Sequence, residues 1–511
     1  MSIQKYPIGH QDFKKIREGD FVYVDKTLFV HKMVDKGGYY FLSRPRRFGK
    51  SLMVSTLDYL FQGQKELFEG LFIYDKWEFE AYPIIKIQFA SIGYRTSTLT
   101  YALSAALDDH AKHYGLKFEK TEDQIDVKFS ELIKKLYQLY NKKVVILIDE
   151  YDKPIIDYLD KENLHKAKEN KGVMKSFYSI LKDADPYLQL VFITGISKFS
   201  QVSIFSDLNN LYDLSLVPEY NEICGMSQKD LETYFPKEMQ TFDREKVKEW
   251  YNGYRWYAGG VSVYNPFSIL NFFSDGQFRN YWFSTGSPTF LLELSKSQKL
   301  YDVSGMELTG FNLTNFDLDR LEVHPILFQT GYITITGYDP ERDRYTLDYP
   351  NREVKNSYLL YLTQAYMDAP SHRASNIPFE MEDALKEHNP PKLQKAINEA
   401  FSYIPYDLWQ KDNEHFYHAI VHLLFSLLGV YIHSEVHTKD GRADAIIDIK
   451  DGVFCLEFKL DRSAQEAIDQ IRSKGYLDRF AASGKARYAI GINFSSGEKR
   501  VEEILWEEVI I

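Results

Sequence analysis

The sequence predicts an α/β protein with two different sheets. In the N-terminal part, short apolar runs alternate with helical patterns, and continuous apolar runs are typical of parallel strands that are buried on both faces. In the C-terminal part, three strand patterns follow one another across tight polar turns, which predicts antiparallel pairing. Because the chain has 511 residues, it is also too long for one ordinary core, and several domains are expected.

The composition is that of a globular protein with a negative net charge. The 62 basic and 73 acidic residues give a formal charge of −11, which excludes a general polyanion binder, so any contact with nucleic acid must be local and assisted by metal ions. Cys224 and Cys455 are far apart in the sequence, which indicates no disulfide framework and a reducing compartment. Neither a signal-peptide core nor an apolar run of membrane-spanning length stands out. We therefore expect a cytoplasmic protein without membrane contact.

A phosphate-binding loop is predicted directly after the first strand. The apolar run 39–42 leads into a basic loop that ends in Gly49-Lys50-Ser51, and a helical pattern follows. Backbone N–H groups at a helix N-terminus attract anions, a lysine reaches the outer phosphates, and the serine hydroxyl binds Mg²⁺. Arg44 occupies the first glycine position of the common motif, so a basic turn before a helix remains the alternative. The predicted nucleotide-binding residues are Arg47, Gly49, Lys50, Ser51 and Leu52, of which Ser51 is also a predicted metal ligand.

An acidic strand end is predicted about a hundred residues later. The apolar run 144–148 is followed by Asp149 and Glu150. At the end of a buried strand, Asp149 is placed to bind nucleotide and Mg²⁺, and Glu150 is placed to activate the attacking water as the catalytic base. By itself an acidic strand end is often a helix N-cap. The order of the two motifs, with strands and helices between them, favours Mg²⁺-dependent ATP hydrolysis.

Three further segments have two interpretations each. Residues 23–27 form a wall of the adenine pocket or a packing arm. Thr194, Ser197 and Lys198 follow the apolar run 188–193, and they lie near the γ-phosphate or simply form a turn; we assign Ser197 to nucleotide binding. Arg255 lies in a helical, aromatic region that we interpret as a lid. It reaches the phosphates, for which a planar guanidinium is suited, or it stacks on neighbouring aromatic rings at the surface.

A second metal site is predicted near the C-terminus. Asp444 begins the middle strand, and Glu457 and Lys459 are two residues apart on the last strand, so both project from one face. Two carboxylates and a lysine can hold Mg²⁺ and activate water for attack on a phosphodiester. Glu414, on the preceding helix, could add a metal ligand. We assign catalysis to Asp444, Glu457 and Lys459 and metal binding to Asp444, Glu457 and Glu414; an ordinary alternating strand is the alternative.

These residues together resemble a bacterial family, the AAA-ATPase-like proteins with a C-terminal PD-(D/E)XK nuclease-like domain. Arg44 is usual in that family, and Gln470 and Tyr476 match the helix that often follows its nuclease triad. The resemblance implies Mg²⁺-dependent ATP hydrolysis and Mg²⁺-dependent cleavage of DNA or RNA. It rests on Tyr23-Val24-Asp25-Lys26-Thr27, the run from Arg44 to Ser51, Leu147-Ile148-Asp149-Glu150-Tyr151-Asp152, the run from Thr194 to Ser200, Tyr251-Asn252-Gly253-Tyr254, Asn265-Pro266-Phe267, and the residues Asp444, Glu457 and Lys459.

The expected organisation has four parts. Residues 1–217 form a P-loop ATPase core with a parallel sheet, and 218–300 form the helical lid. Residues 301–375, with a helix, strand, turn and strand, form a winged-helix-like unit that binds DNA or acts as an adaptor, and we favour the adaptor. Residues 376–511 form the restriction-endonuclease-like domain.

Three functional hypotheses follow. The first is a nuclease that is controlled by ATP and acts on DNA or RNA. The second is an ATP-dependent switch or scaffold whose nuclease-like domain only binds nucleic acid or a protein partner. In the third, the ATPase is primary and the C-terminal domain is a dimerisation module, so that the protein forms a homo-oligomer.

Overall fold

The chain forms two compact units in this computed structural model. Unit 1 comprises residues 1–290 and 304–353, and unit 2 comprises residues 291–303 and 354–511. The residues that the structure describes are 5–119, 124–198, 204–205, 207–283, 289–301, 303–314, 318, 320–367, 370–405, 419–421, 423–424, 427, 431–438, 441–449 and 452–509.

A five-stranded parallel sheet is the centre of unit 1. Its strands are β1 (Gly38–Ser43), β2 (Ile84–Gln88), β3 (Val144–Asp149), β4 (Leu188–Gly195) and β5 (Leu211–Asp213), in the order β2-β3-β4-β1-β5. Each neighbouring pair is parallel, so all five strands end at the same edge of the sheet. β4 therefore lies between β1, which leads into the basic loop, and β3, which carries the acidic end.

Helices connect and surround these strands. Every residue of β3 is buried, as expected for a strand with both faces covered. Asn141 ends the helix before β3 in a left-handed conformation, with φ of 48°, which is a common way for a helix to end. The helices of this part are Phe13–Glu18, Thr27–Lys36, Lys50–Phe61, Leu99–His113, Ile125–Tyr140, Lys153–Ile156 and Leu164–Asp183.

A helical region follows the sheet in unit 1. Its helices are Gln228–Tyr234, Glu238–Thr241, Arg244–Tyr251 and Pro266–Asp275, and it contains a two-stranded sheet of β6 (Met226–Ser227) and β7 (Val263–Tyr264). Leu231, Val247 and Ile269 share one buried apolar cluster with Val22 of the N-terminal arm. We call the region from β6 to the Pro266–Asp275 helix the lid, and residues 5–26 the N-terminal arm. The two share this apolar cluster and pack against each other.

A small antiparallel sheet completes unit 1. Its strands are β8 (Met306–Thr309), β9 (Thr334–Asp339) and β10 (Arg344–Asp348), in the order β8-β10-β9. Two helices, Gly310–Thr314 and Val323–Thr330, lie between β8 and β9 in the chain. The helix, strand, turn and strand predicted for this region are therefore present.

Unit 2 contains a five-stranded mixed sheet. Its strands are β11 (Tyr431–Thr438), β12 (Gly441–Ile449), β13 (Gly452–Leu460), β14 (Arg487–Ser495) and β15 (Arg500–Glu508), in sequence order across the sheet. β13 and β14 are parallel, and the other pairs are antiparallel. The helices are Thr289–Ser297, which begins in unit 1, Arg352–Tyr366, which crosses from unit 1 into unit 2, Ser371–Lys386, Pro390–Ser402 and Ala464–Ser473.

The α/β class and the antiparallel pairing of the first three C-terminal strands are confirmed. The patterns did not predict β5, β8, β14 or β15. The four-part division of the chain stays a prediction. Within the described ranges, no helix combines the length and the apolar character needed to cross a bilayer.

Candidate nucleotide and nuclease-like sites

A cavity of about 360 Å³ opens around the loop that follows β1. This volume lies in the range of small-molecule pockets, about 300–1,000 Å³. One wall is the N-terminal arm, with His10 and Tyr23, and another is the lid, with Phe267 and Leu270. The predicted residues Arg47, Gly49, Lys50, Ser51, Leu52 and Glu150 also line the cavity, whereas Asp149, Ser197 and Arg255 do not.

The loop backbone forms an open cradle at the start of a helix. Gly49 has φ of 93° and precedes the Lys50–Phe61 helix, and Arg47 has φ of 68°. A methyl group built on Gly49 would meet no atom within 4 Å, so the space beside this turn is free. The N–H groups of Lys50, Ser51 and Leu52 lie in the first turn, where helix geometry provides no intrahelical acceptor. This arrangement fits a bound anion such as a phosphate group.

Lys50 is a buried cation whose hydrogen bonds go to its own loop. Its Nζ donates to the carbonyl oxygens of Arg44 at 2.8 Å and Pro45 at 2.9 Å. Burial lowers the pKa of the ammonium, and the negative charge of Asp149 opposes that effect. The ammonium is therefore held in place by two neutral carbonyl acceptors.

Arg44 anchors the beginning of the loop. Its guanidinium is buried and donates to the carbonyl oxygens of Ser43, Ser215 and Tyr220, at 2.9, 2.7 and 3.1 Å. The guanidinium carbon also lies 4.7 Å from the ring centre of Trp256. Burial lowers the pKa of Arg44 to about 10. The residue in the first glycine position thus fastens the loop to the segment after β5.

The two acidic residues after β3 have different surroundings. Asp149 is buried, and its Oδ1 accepts a hydrogen bond of 2.6 Å from the hydroxyl of Thr194. Glu150 adopts φ of 55°, a conformation that is uncommon outside glycine, and its Oε2 is buried without a hydrogen-bond partner. Burial, together with the charge of Asp149, raises the pKa of Glu150. A carboxylate held in this way is suited to accept a proton from water.

The end of β4 is fixed by acidic side chains. The Ser197 hydroxyl and amide both donate to Oδ2 of Asp152 at 2.7 Å. Lys198 forms a buried ion pair of 2.6 Å with Asp213 of β5. Thr194, Ser197 and Lys198 are therefore bonded within the protein. The sequence reasoning missed the role of Asp152, although this residue belongs to the same acidic run as Asp149.

Arg255 lies in the lid, away from the residues that line the cavity. Its backbone N–H donates to the hydroxyl of Thr334 at 2.7 Å, and its carbonyl accepts from the same hydroxyl at 3.0 Å. Its Nε is buried without a hydrogen-bond partner. The structure thus does not bring Arg255 together with Lys50.

The nuclease-like site lies on β12 and β13 of unit 2. Oδ2 of Asp444 accepts a hydrogen bond of 2.8 Å from the backbone N–H of Phe458, which lies between Glu457 and Lys459. Lys459 Nζ lies 3.4 Å from Oε1 of Glu457. The structure therefore brings the predicted triad of Asp444, Glu457 and Lys459 together.

The Ala464–Ser473 helix completes this site. Gln470 accepts a hydrogen bond of 2.8 Å from Lys459 Nζ, and its amide nitrogen donates to Glu457. The same nitrogen lies 3.4 Å from the hydroxyl of Tyr476. Burial, reinforced by the charge of Asp444, raises the pKa of Glu457 well above its ordinary value.

The comparisons with known proteins agree with this architecture. A family model described as "Predicted AAA-ATPase" matches residues 7–205, and a model of the PD-(D/E)XK nuclease superfamily matches residues 412–504. A protein of Azotobacter chroococcum mcd 1, named "Uncharacterized protein in vnfD 5'region", is 36% identical over 518 residues, which cover 98% of each chain. The chain belongs to the AAA-ATPase-like proteins with a C-terminal PD-(D/E)XK nuclease-like domain. No solved structure matches it significantly.

The two matched segments contain the two sites of this AAA-ATPase-like protein. The first includes the phosphate-binding loop, Asp149 and Glu150, and the second includes Asp444, Glu457 and Lys459. The lid residues that line the cavity, such as Phe267, lie outside both segments.

The donor atoms at both sites fit Mg²⁺. At the first site these donors are the Ser51 hydroxyl and the buried Asp149 carboxylate. At the second site they are the Asp444 carboxylate and the buried, unpartnered Oε2 of Glu457, and all are hard oxygen donors of the type that this ion prefers. Among the residues that the structure describes, however, no group of three or more His, Cys, Asp or Glu side chains meets as a metal site. Glu414, the predicted additional ligand, lies outside the described residues.

Proposed function

We propose that the protein binds and hydrolyses ATP and that this activity controls a Mg²⁺-dependent nuclease. The observation that carries the proposal is the buried Lys50 ammonium in an open, amide-rich cradle, with Glu150 on the wall of the same cavity. The family membership supports both activities. The substrate class of the nuclease is nucleic acid, DNA or RNA.

In the proposed ATPase site, each residue has a separate task. Lys50 and the amides after Gly49 would bind the phosphates, and Arg47 would approach them from the cavity mouth. Ser51 and Asp149 would hold Mg²⁺, which neutralises the charge on the transferred phosphoryl group. Glu150 would accept the proton of the attacking water. Ser197 and Arg255 are proposed to join the site only after the β4 end and the lid rearrange.

In the proposed nuclease site, Asp444 and Glu457 would hold Mg²⁺, with Glu414 as a candidate further ligand. Lys459 would orient the attacking water and stabilise negative charge in the transition state. Gln470 keeps the Lys459 ammonium and the Glu457 carboxylate at a fixed spacing, since its amide bonds both.

The ATPase proposal is tested with Glu150→Gln. The variant should bind ATP as wild type does, because the amide keeps the size of the side chain, but its turnover should fall at least about a hundredfold without a proton acceptor. Calorimetric ATP binding and phosphate release measure the two effects. Glu162→Gln, at an exposed position of the same unit, is the control. Unchanged turnover in Glu150→Gln would refute the assignment.

The nuclease proposal is tested with Glu457→Ala. Wild type and variant are incubated with plasmid DNA, single-stranded DNA and RNA, with Mg²⁺ or Mn²⁺, and with or without ATP. We expect cleavage by wild type only, and a dependence of the rate on ATP. If neither protein cleaves any substrate but both bind one, the alternative of an ATP-dependent scaffold replaces the nuclease.

Location and assembly complete the proposal. We place the protein in the cytoplasm, with ATP and nucleic acid as partners and no membrane contact. Self-association through the C-terminal domain is proposed as a separate possibility, and mass measurement of the full chain and of a chain ending near residue 375 tests it.

A further inference from the structure

One short segment of unit 1 contacts the phosphate-binding loop, the end of β4 and the lid. It runs from Gln329 to Thr334, at the end of the Val323–Thr330 helix and the start of β9, and we call it the junction segment. It follows the phosphate-binding loop by almost three hundred residues. Neither sequence motif includes it.

Gln329 fixes the end of β4. Its side chain is buried, and Oε1 accepts a hydrogen bond of 2.8 Å from the backbone N–H of Lys198. Its amide nitrogen donates to the carbonyl of Leu313 at 3.3 Å. Because Thr194, four residues before Lys198, donates to Asp149, Gln329 supports the strand end that holds the predicted metal ligand.

Gly331 lies directly against the phosphate-binding loop. A methyl group built on it would be 2.6 Å from Cγ and 2.7 Å from Cβ of Pro45, closer than atoms can pack. Pro45 is not a passive neighbour, since its carbonyl oxygen is one of the two acceptors of Lys50 Nζ. Any displacement of Pro45 would therefore move an acceptor that places the phosphate-binding lysine.

Of two further residues of the junction segment, Thr334 contacts the lid directly and Tyr332 contacts the phosphate-binding loop through Trp282. The Thr334 hydroxyl bonds the backbone N–H and carbonyl of Arg255. The ring of Tyr332 packs on Trp282 with centres 5.2 Å apart, and the indole N–H of Trp282 donates to the carbonyl of Arg46 at 3.3 Å. The phosphate-binding loop, the β4 end and the lid are thus connected through six consecutive residues.

We propose that Gln329 and Gly331 are positioning residues of the nucleotide-hydrolysis site, through Lys198 and Pro45 respectively. This inference rests on the proposed ATPase function. Gln329 holds the β4 end so that Asp149 keeps its orientation, and the missing side chain at position 331 lets Pro45 sit where Lys50 needs its carbonyl. If nucleotide binding changed the contact of Gln329 with Lys198 or of Gly331 with Pro45, the start of β9 would move as well, because it belongs to the same segment.

The decisive variant is Gly331→Ala, with Gly305→Ala as its matched control. Both glycines have positive φ, 90° and 65°, so alanine is strained at both positions, but a methyl group on Gly305 meets no atom within 4 Å. Because small displacements of catalytic groups cost up to about a hundredfold, we expect kcat for ATP to fall about tenfold to a hundredfold in Gly331→Ala. Gly305→Ala should keep the wild-type rate, and circular dichroism checks that both variants are folded.

Gln329 is tested by two substitutions, of which only one keeps an oxygen acceptor for the Lys198 N–H. Gln329→Met removes the acceptor for the Lys198 N–H, and Gln329→Glu keeps it. We expect Gln329→Met to lower kcat about tenfold with little change in KM, because ground-state binding uses the phosphate-binding loop, and Gln329→Glu to recover most of that loss.

The outcomes separate this inference from the proposed function. If wild type neither binds nor hydrolyses ATP, the proposed function fails. If wild type hydrolyses ATP but Gly331→Ala loses no more activity than Gly305→Ala, the role of Gly331 is refuted. Equal losses in Gln329→Met and Gln329→Glu, with both variants folded by circular dichroism, would refute the role of Gln329.

Discussion

The two candidate sites of this protein each combine a lysine with a buried carboxylate, but the two lysines have different partners. Lys50 is buried, whereas Lys459 is half-buried. In unit 1, Lys50 donates to two carbonyl oxygens of its own loop. In unit 2, Lys459 bonds Gln470 and pairs with Glu457, whose other oxygen is buried without a partner. The first lysine is thus held by neutral acceptors, with the charges of Asp149, Asp152 and Glu150 nearby, and the second is held against a carboxylate.

This difference indicates the charge of the ligand that each proposed site would bind. A buried cation with neutral partners is stabilised when an anion such as a phosphate arrives. A buried carboxylate pair is stabilised when a cation such as Mg²⁺ arrives, and until then burial and mutual repulsion raise the pKa of Glu457. Ligand binding therefore relieves an electrostatic cost at both sites, with opposite sign.

The largest effect should come from removing the cation of the first site. Lys50→Ala should weaken ATP binding at least about a hundredfold, because a preorganised charge at the phosphates is lost. Lys36→Ala, which removes an exposed lysine at the end of the Thr27–Lys36 helix, is the control and should bind ATP normally. Calorimetric titration with ATP measures both. Equal affinity in Lys50→Ala and wild type would contradict a phosphate-binding role for this ammonium.

The next largest effect should come from removing the carboxylate charge of Glu457 at the second site, measured as a change in the free energy of unfolding. The Glu457 carboxyl has a folded-state pKa raised from 4.5, so between pH 4.5 and that pKa the unfolded state binds fewer protons than the folded state. The free energy of unfolding therefore falls as the pH rises. Glu457→Gln should be more stable than wild type by about 3 kcal/mol at pH 8, and Mg²⁺ should shrink that difference by stabilising wild type.

Urea denaturation of wild type and Glu457→Gln at pH 5 and pH 8, with and without Mg²⁺, measures this prediction. At pH 5 the two proteins should be closer in stability. A variant that is no more stable at pH 8 would show that the carboxylate is compensated within the protein.

A third variant, Glu353→Gln, provides a comparison for Glu457→Gln, because Glu353 is a buried carboxyl with no predicted metal role. Glu353, in unit 1, accepts hydrogen bonds from the backbone N–H groups of Tyr281 at 2.6 Å and Trp282 at 2.8 Å. Burial raises its pKa to about 7. By the same sign, the contribution of Glu353 to stability falls between pH 4.5 and 7, and Glu353→Gln should be about 2 kcal/mol more stable than wild type at pH 8.

Mg²⁺ should leave the stability difference between Glu353→Gln and wild type unchanged, in contrast to Glu457→Gln. The same urea experiment reports it. An equal response of both variants to Mg²⁺ would mean that the ion acts generally on charge and not at Asp444 and Glu457.

The smallest effect should come from the mouth of the cavity. The Arg47 guanidinium carbon lies 5.0 Å from the ring centre of Phe267 in the lid. An exposed cation–π contact contributes about 0.5–1 kcal/mol, so Arg47→Ala should weaken ATP binding about twofold to fivefold. Phe267→Leu should have a similar effect, and the double variant should be little worse than either. Strictly additive losses would show that the two side chains act independently.

The strands β1–β4 and β9–β13 and the chemistry-bearing positions were predictable because they depend on local patterns. Continuous burial marks β3, alternation places Glu457 and Lys459 on one face, and a glycine before Lys50 allows the left-handed turn at the helix start. β5, with three residues, is too short to show a period, and it lies at the edge of the sheet. Its ion pair with Lys198 was therefore not foreseen.

The supporting contacts were not predictable because they join residues that are far apart in the sequence. Gln329 and Lys198 are separated by 131 positions, and nothing around Gln329 resembles a motif. The sequence identified Arg44 as a departure from the common loop that is usual in the family, but only the structure shows it anchoring that loop to Ser215 and Tyr220.

The sequence by itself determined the fold class, the loop around Gly49, the paired acids after β3 and the triad in unit 2, because periodicity and backbone conformation are properties of neighbouring residues. The tertiary structure alone decided which atoms those side chains bond. The hydrogen bonds of Lys50 to carbonyl oxygens and of Lys459 to Gln470 depend on how separate elements pack. A polar atom that is removed from water must form its hydrogen bonds with the protein groups that packing places next to it.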